Sequence, residues 1–472
     1  MPAWNTYAVR FICLVFACTG CANTTVNTSP LPIDSTKPLF RDFMGINAHV
    51  TFKPALYATV CRLVRSYHNI DWDATAPGDS LHIPLTLNHI NWQQDVYGPW
   101  KATGFETDIC LQFNQLGPAN SHYRTLWTGH ESWAYQYGKA MAAWYGPSGK
   151  KQLNTSFEID NEPGNRFDPQ LYRRLFKEMA TGIRAGDPKV RIVTPAVTAR
   201  HADDYSQGLN DMYADPDILP LYDVINLHTY PILPRFAGND NSWNRSYPED
   251  RSLDYLRVVD AAVAWRNRYA KEKDIWITEF GYDACTPAAM QQRKDWALKL
   301  NWQGVSDLQQ AQYLVRSFLL FAAMDIQRAY LFYYNDEDEA SVHAASGLTR
   351  HFIPKPSFWA VKQLYETLGD YRFNRIVKKQ DNDLYVYEFV HSRKPGSRMW
   401  VAWSPTGTGS QHKEGYVPKE GTVVLDQLPS PPQSIIGMAT TAGVAPEIPW
   451  QRIGDSVIQL VIGESPLYIV ME

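Results

Sequence analysis

Past residue 40, eight short apolar runs recur along the chain, each closed by polar or ionisable residues, with stretches of helical periodicity between them. The runs occupy residues 43–50, 62–68, 106–113, 155–163, 190–197, 222–231, 274–283 and 329–336. Most are continuously apolar rather than strictly alternating, as strands buried on both faces of a parallel sheet require. Residues 169–185 place Leu171, Leu175, Phe176, Met179 and Ile183 on one helical stripe. Residues 253–269 do the same with Leu256, Val259, Ala262, Val263 and Trp265. Residues 307–324, behind a Ser306 cap, do so with Leu308, Ala311, Leu314, Val315 and Phe318. Eight such alternations predict a (β/α)8 TIM barrel over residues 40–370. An open nucleotide-binding sheet would carry a glycine-rich first turn, and neither G-x-G-x-x-G nor a P-loop occurs.

The texture changes after a last helical stretch at 358–368. Residues 371–472 read as short strands at 383–390, 399–404, 421–425, 457–461 and 467–471, broken by Gly, Pro and Ser. This pattern predicts a small antiparallel β-sandwich. At the other end, residues 11–17 form an apolar run too short to span a bilayer, which reads as a signal peptide over residues 1–21. Cys21 directly follows Gly20, as in a lipobox, although Cys18 stands where Leu is usual. The expectation is an exported protein, an outer-membrane lipoprotein or a periplasmic or secreted one, with a polar linker over residues 22–39. Cys61, Cys110 and Cys285 are scattered and odd in number, so they read as small buried hydrophobes.

Charge narrows the function classes. Against 45 Lys and Arg stand 49 Asp and Glu, a net of −4, which lacks the basic footprint of a nucleic-acid binder. The 16 Trp, 27 Tyr and 19 Phe include more flat amphipathic rings than a core needs, and such rings suit a carbohydrate groove.

In a barrel of this kind the C-terminal strand ends face the active site. The fourth run ends Glu158-Ile159-Asp160-Asn161-Glu162-Pro163 and the seventh Thr278-Glu279-Phe280-Gly281. Two carboxyl groups flanking one glycosidic bond are what glycoside hydrolysis requires, one protonated with a raised pKa and one ionised. Asp160 is expected to hydrogen-bond within the barrel rather than react.

Asn161-Glu162-Pro163 ending a fourth strand, with a second Glu ending the seventh, resembles glycoside hydrolase clan A, the retaining (β/α)8 clan of cellulases, β-xylosidases and agarases. The segment Gly347-Leu348 followed by Pro354-Lys355-Pro356-Ser357-Phe358 is similar to β-xylosidase-like members with a C-terminal β-sandwich. The resemblance implies Glu162 as acid/base, Glu279 as nucleophile and Asn161 as the donor to a sugar 2-hydroxyl. It also implies His228 and Tyr230 at the end of the sixth strand, and Arg65 on the second holding the nucleophile ionised. The eighth run ends Tyr333-Tyr334 where the clan commonly carries Trp, and Tyr334 is the candidate platform. His49 and Asn47, closing the first run, and His68 and Asn69, closing the second, read equally as substrate contacts or rim packing. Trp72, Trp127, Trp243 and Trp302 are stacking candidates.

Loops expected on the catalytic face carry Arg166, Arg200-His201, Arg235, Arg245 and Arg350-His351. Arginine's planar fork suits sulfate or carboxylate, which points to an anionic glycan such as a sulfated galactan or uronate-bearing chain, with Arg200 among the binding residues. The alternatives are a neutral-glycan exo-β-glycosidase, such as a β-xylosidase or β-glucanase, and a non-catalytic surface glycan-binding lipoprotein. No cofactor or metal is expected, since no H-x-H or clustered ligand spacing occurs. The expected partner is a poly- or oligosaccharide, with no nucleic acid, and a membrane only through the lipid anchor.

Overall fold

The computed structural model describes residues 36–84, 90–113, 126–163, 168–197, 201–234, 241–381, 383–406 and 419–471. The expected signal segment, most of the linker, and Arg166, Arg200 and Arg235 lie outside the described residues. The chain divides into two units, Met1–Ile33 and Asp34–Glu472, and both barrel and sandwich belong to the second.

Eight parallel strands close into a barrel: β1 (Met44–Ala48), β2 (Leu63–Asn69), β3 (Glu106–Gln112), β4 (Ser156–Ile159), β5 (Arg191–Val193), β6 (Val224–His228), β7 (Asp274–Phe280) and β8 (Arg328–Leu331). Each falls within one of the eight apolar runs apart from a residue or two at its ends. The strands are almost wholly buried, as continuous apolar runs demand when helices cover them outside and side chains fill them inside. Helix Pro169–Gly186 starts at Asp168, whose carboxylate accepts the Gln170 and Leu171 N–H groups. Helix Asp307–Ala323 starts at a reciprocal Ser306–Gln309 capping box. Helix Arg257–Tyr269 begins four residues later than its periodicity predicts, because 251–256 are turns. Pro356–Leu368 closes the barrel layer.

The chain then forms two antiparallel sheets. One runs β9 (Tyr371–Gln380), β10 (Leu384–His391), β11 (Arg398–Trp403), β16 (Leu467–Met471) and β13 (Ser434–Ile436) in spatial order. The other runs β12 (Glu420–Leu425), β15 (Val457–Gly463) and β14 (Trp450–Gly454). Strand β10 shows why the larger sheet is buried on both faces. Leu384 and Val386 pack with Leu425, Ile458 and Leu460 of the small sheet, whereas Tyr385, Tyr387 and Phe389 join the barrel's core. Cys61 and Cys110 are buried free thiols. Among the described residues no helix is long and apolar enough to cross a membrane.

Candidate active site

The polar side chains of the barrel converge at its C-terminal mouth. Strand period places Arg65 and Tyr67 on one face of β2, and both reach β7. The Arg65 guanidinium is fully buried. It donates Nε and Nη2 to the two oxygens of Glu158 at 2.7 and 2.8 Å, and Nη1 to Glu279 Oε1 at 2.9 Å. It also donates to Asn47 Oδ1 and Asn161 Oδ1, both at 2.8 Å. The Tyr67 hydroxyl donates to Glu279 Oε1 at 2.5 Å and the Tyr230 hydroxyl to Oε2 at 2.9 Å.

Two local devices aim the carboxylates. After β4, Asp160 adopts a left-handed conformation (φ 70°), and its own side chain accepts the Asn161 N–H at 2.9 Å. Asp tolerates this region better than most residues because it bonds its own turn. On β7 the register against β6 slips: Leu227 faces Ile277 but His228 faces Glu279. Thr278 is the extra residue of this bulge, so consecutive residues Thr278 and Glu279 both reach His228. Gly281 then lets the tail of β7 lie against that of β8, since a Cβ there would stand 2.2 Å from the Phe332 carbonyl oxygen.

His228 joins the two acids. Its Nδ1 lies 2.7 Å from Glu162 Oε1 and 3.7 Å from Glu279 Oε2, and Nε2 lies 3.0 Å from Thr278 Oγ1. One ligand atom from each of Glu162, His228 and Glu279 lies within 4.8 Å of the others, so the two carboxylates and the imidazole share one small site. Glu279 is almost fully buried, whereas the Glu162 side chain is 34% exposed and opens outward.

Burial alone would raise the Glu279 carboxyl, but the His228 and Arg65 charges and the Tyr67 hydroxyl hold it at about 2. Glu162 differs from expectation. Burial raises it, yet the His228 hydrogen bond and charge outweigh burial and hold it below the ordinary glutamate value. Burial in turn lowers His228, and the charge of Glu279 and the bond to Glu162 more than restore it, leaving the imidazole more basic than usual. The raised pKa expected of Glu162 is therefore corrected: in the free protein the proton between these groups sits on His228.

Arg65, Asn161, His228 and Tyr230 thus gather around the two glutamates as the sequence predicts. Others do not. Tyr334 is 4% exposed and packs among Phe52, Tyr57 and Phe352, its hydroxyl bonded to Thr51; it belongs to the core. Its neighbour Tyr333 is the residue that feels the Glu279 charge, and it stacks on Phe332 at 4.6 Å. His49 touches neither acid; its ring meets Trp72 edge-on at 5.6 Å. Asn47 and His68 are fully buried, His68 between Asp73 and Tyr97, and Asn69 accepts from Gln112. Trp127 and Trp302 are core residues, which removes them as stacking platforms; Trp72 is half-buried against Trp92, and Trp243 is exposed. Tyr67, Asn226 and His343 escape sequence reading, and Glu158 is named there without a role. His343 lies edge-on to Tyr230 at 4.8 Å and to Phe332 at 5.4 Å.

No family model matches the sequence, and no curated protein matches it significantly. Solved structures do. The chain superimposes on a family 39 glycoside hydrolase from Bacteroides cellulosilyticus with a TM-score of 0.60 at 16% identity, covering 92% of this chain and 81% of that one. A monomeric β-xylosidase from Caulobacter crescentus gives 0.55 at 15%, covering 92% and 97%. A family 51 α-L-arabinofuranosidase from Bifidobacterium longum gives 0.57 at 10%, covering 92% and 96%. The likeness is one of fold. The expected architecture, a (β/α)8 barrel followed by a β-sandwich, is the one observed.

Proposed function

We propose that the protein is a retaining β-glycosidase acting on a poly- or oligosaccharide. The observation that carries this reading is that an oxygen of Glu162 and an oxygen of Glu279 lie within 4.8 Å of each other, nearer the retaining than the inverting range. Retaining enzymes hold their carboxyl groups roughly 5–5.5 Å apart, inverting enzymes roughly 6.5–9.5 Å apart to admit a water. Glu279, ionised at neutral pH and fixed by Arg65, Tyr67 and Tyr230, is the nucleophile. It attacks the anomeric carbon as the glycosidic C–O bond breaks, and a proton passes from the His228–Glu162 pair to the departing oxygen. Glu162 then takes a proton from water, whose oxygen displaces Glu279 from carbon. Configuration is inverted twice and so retained. Arg65 holds Asn161 by Oδ1, which leaves the Nδ2 hydrogens as its contribution to a sugar hydroxyl.

Substrate charge divides two readings. Of the cationic loop residues that are described, Arg350 pairs with Asp307 and Asp338, His351 with Glu337, and His201 with Asp254. Arg245 stacks on Tyr230 with Asp283 3.8 Å away. This balance supports a neutral glycan over an anionic one. Initial rates on matched neutral, sulfated and uronate-bearing oligosaccharides test it; a preference for the charged members restores the anionic reading. Proton NMR of the first-formed sugar tests the mechanism, and an inverted anomer overturns it. For the first 21 residues we propose export with lipid attachment at Cys21. Labelling with an alkyne fatty acid, absent in Cys21→Ala, tests this.

A further inference from the structure

His228 is held on its far side by a chain of hydrogen bonds whose donors and acceptors can be assigned one by one. Glu158, buried and gripped through both oxygens by the Arg65 fork, can only accept once ionised, and Asn226 Nδ2 then donates to its Oε1 at 2.9 Å. That fixes the Asn226 amide with Oδ1 toward Thr278, whose hydroxyl donates to it at 2.5 Å. A hydroxyl has one proton. Having given it to Asn226, Thr278 Oγ1 offers only lone pairs to His228 Nε2 at 3.0 Å. While Glu158 is ionised, Nε2 must therefore carry a hydrogen whether the ring is charged or neutral, because a bare nitrogen there would face a lone pair. The Nδ1 side is where protonation changes, and it faces Glu162 Oε1 at 2.7 Å.

We propose that Glu158, Asn226 and Thr278 are positioning residues that lock His228 as the Nε2–H tautomer, making its Nδ1 the reservoir for the proton that Glu162 delivers and recovers. The inference rests on the glycosidase reading for its catalytic half only. Below the titration of the ring, which Glu279 and Glu162 raise above that of an ordinary imidazole, His228 is an imidazolium facing two carboxylates. As Glu279 forms its ester, His228 loses a counter-charge, and the Nδ1 proton passes through Glu162 to the leaving oxygen. The ring is then neutral with Nδ1 bare. When water attacks, its proton returns through Glu162 to Nδ1. One proton is thus retained over the cycle. If the neutral ring carried its hydrogen on Nδ1, it would tie up Glu162 and blunt its basicity. The charges bearing on the ring are Glu162 and Glu279 at its Nδ1 edge, with Arg65 and Glu158 behind. His343, also close to both catalytic acids, is held below the ordinary imidazole value by burial and the Arg245 charge, and does not compete for the proton.

The test uses full-length protein labelled with 15N-histidine. In the wild type the His228 shifts should read Nε2–H above its titration. Thr278→Val removes the oxygen while keeping the shape, and should admit the Nδ1–H tautomer. It should also move the alkaline limb of the kcat/KM profile down by about one pH unit, the size of one lost hydrogen bond. Thr278→Ser should restore both. Thr278→Ala serves the same purpose should the valine variant not fold. A valine variant with unchanged 15N shifts and an unchanged profile overturns the proposal. A wild type that turns over no glycan while showing the locked tautomer sinks the glycosidase reading and leaves the lock standing.

Discussion

Arg65, inside the barrel, and Arg316, where the barrel meets the sandwich, are both fully buried, and each is flanked by two glutamates. Around Arg316 the cluster is closed. Its fork grips Glu249, Trp403 Nε1 donates to the same carboxylate at 2.7 Å, and Glu464 is capped by Thr406 at 2.9 Å. Around Arg65 the cluster is open. Glu158 takes the bidentate fork, but Glu279 shares its oxygens with Tyr67 and Tyr230, sees His228 at 3.7 Å, and faces the half-open Glu162. The same residue types build both. What separates a fastening from a reactive centre is whether the chain of hydrogen bonds ends on a protein group or on a titratable group with room beside it.

Removing Glu279 should separate the two most sharply. Glu279→Gln is expected to lower turnover by roughly 10⁴-fold or more while leaving glycan binding measurable by calorimetry. Glu162→Gln should cost roughly 10²- to 10⁴-fold, least for substrates whose leaving group needs no proton. Retained turnover in the Glu279 variant would mean that the open cluster is merely a second fastening.

The fastening itself should fail in stability. Arg316→Met strands Glu249, and breaking a buried pair costs about 3–5 kcal/mol. The expected readout is a large drop in melting temperature with kcat of the folded fraction unchanged. Arg65→Met strands Glu158 in the same way but should also lower kcat, because the nucleophile loses one of the two cations that hold it ionised. If the two variants show the same split between stability and kcat, the distinction between the clusters is lost.

The eight strands and the two glutamates could be read from the chain because both follow from local pattern: continuous apolar runs, and acids at their ends. Arg65 was legible only through the clan resemblance, since a lone Arg at a strand end is otherwise an ordinary rim charge. What was not legible depends on register. The slip at Thr278 is a pairing event between β6 and β7, so no reading of either run alone reveals that Thr278 and Glu279 face the same way. Beyond β8 the chain leaves the strand, and neither residue's sequence shows that Tyr333 feels the Glu279 charge while Tyr334 is buried in the core. Helix Glu131–Tyr145, which the sequence reading does not pick out, buries Ala134, Gly138 and Ala142 among its rings, and such small residues give an apolar stripe little weight. Glu158 sits four residues before Glu162 in a run of acids, and only its partners tell the two apart.

Acidity provides a further contrast, this time within the open cluster. Glu279 falls from 4.5 to about 2 on folding, so the unfolded chain takes up its proton first. Its stabilisation is complete above about 4.5 and is lost as pH falls towards 2, by up to about 3 kcal/mol. Burial raises Glu158 from 4.5 to about 7 in spite of Arg65, so the folded state holds that proton longer, and stability declines as pH rises from 4.5 to 7. Urea unfolding against pH should therefore lose its acid limb in Glu279→Gln and its neutral limb in Glu158→Gln. Identical pH dependence in the two variants would show that the carboxylates titrate as one unit.

The smallest effect separates the neighbouring tyrosines. Tyr333 is half-buried by the nucleophile and stacked on Phe332, whereas Tyr334 is enclosed by Phe52, Tyr57 and Phe352. Tyr333→Leu removes a flat face from the pocket and should raise KM up to about tenfold, the scale of one aromatic contact, with little change in melting temperature. Tyr334→Leu removes a packed ring and the hydroxyl bonded to Thr51, so it should lower the melting temperature and leave KM alone. A rise in KM confined to the Tyr334 variant would return the platform to the position the sequence reading gave it, and would mean that the pocket wall runs along the opposite face of this segment.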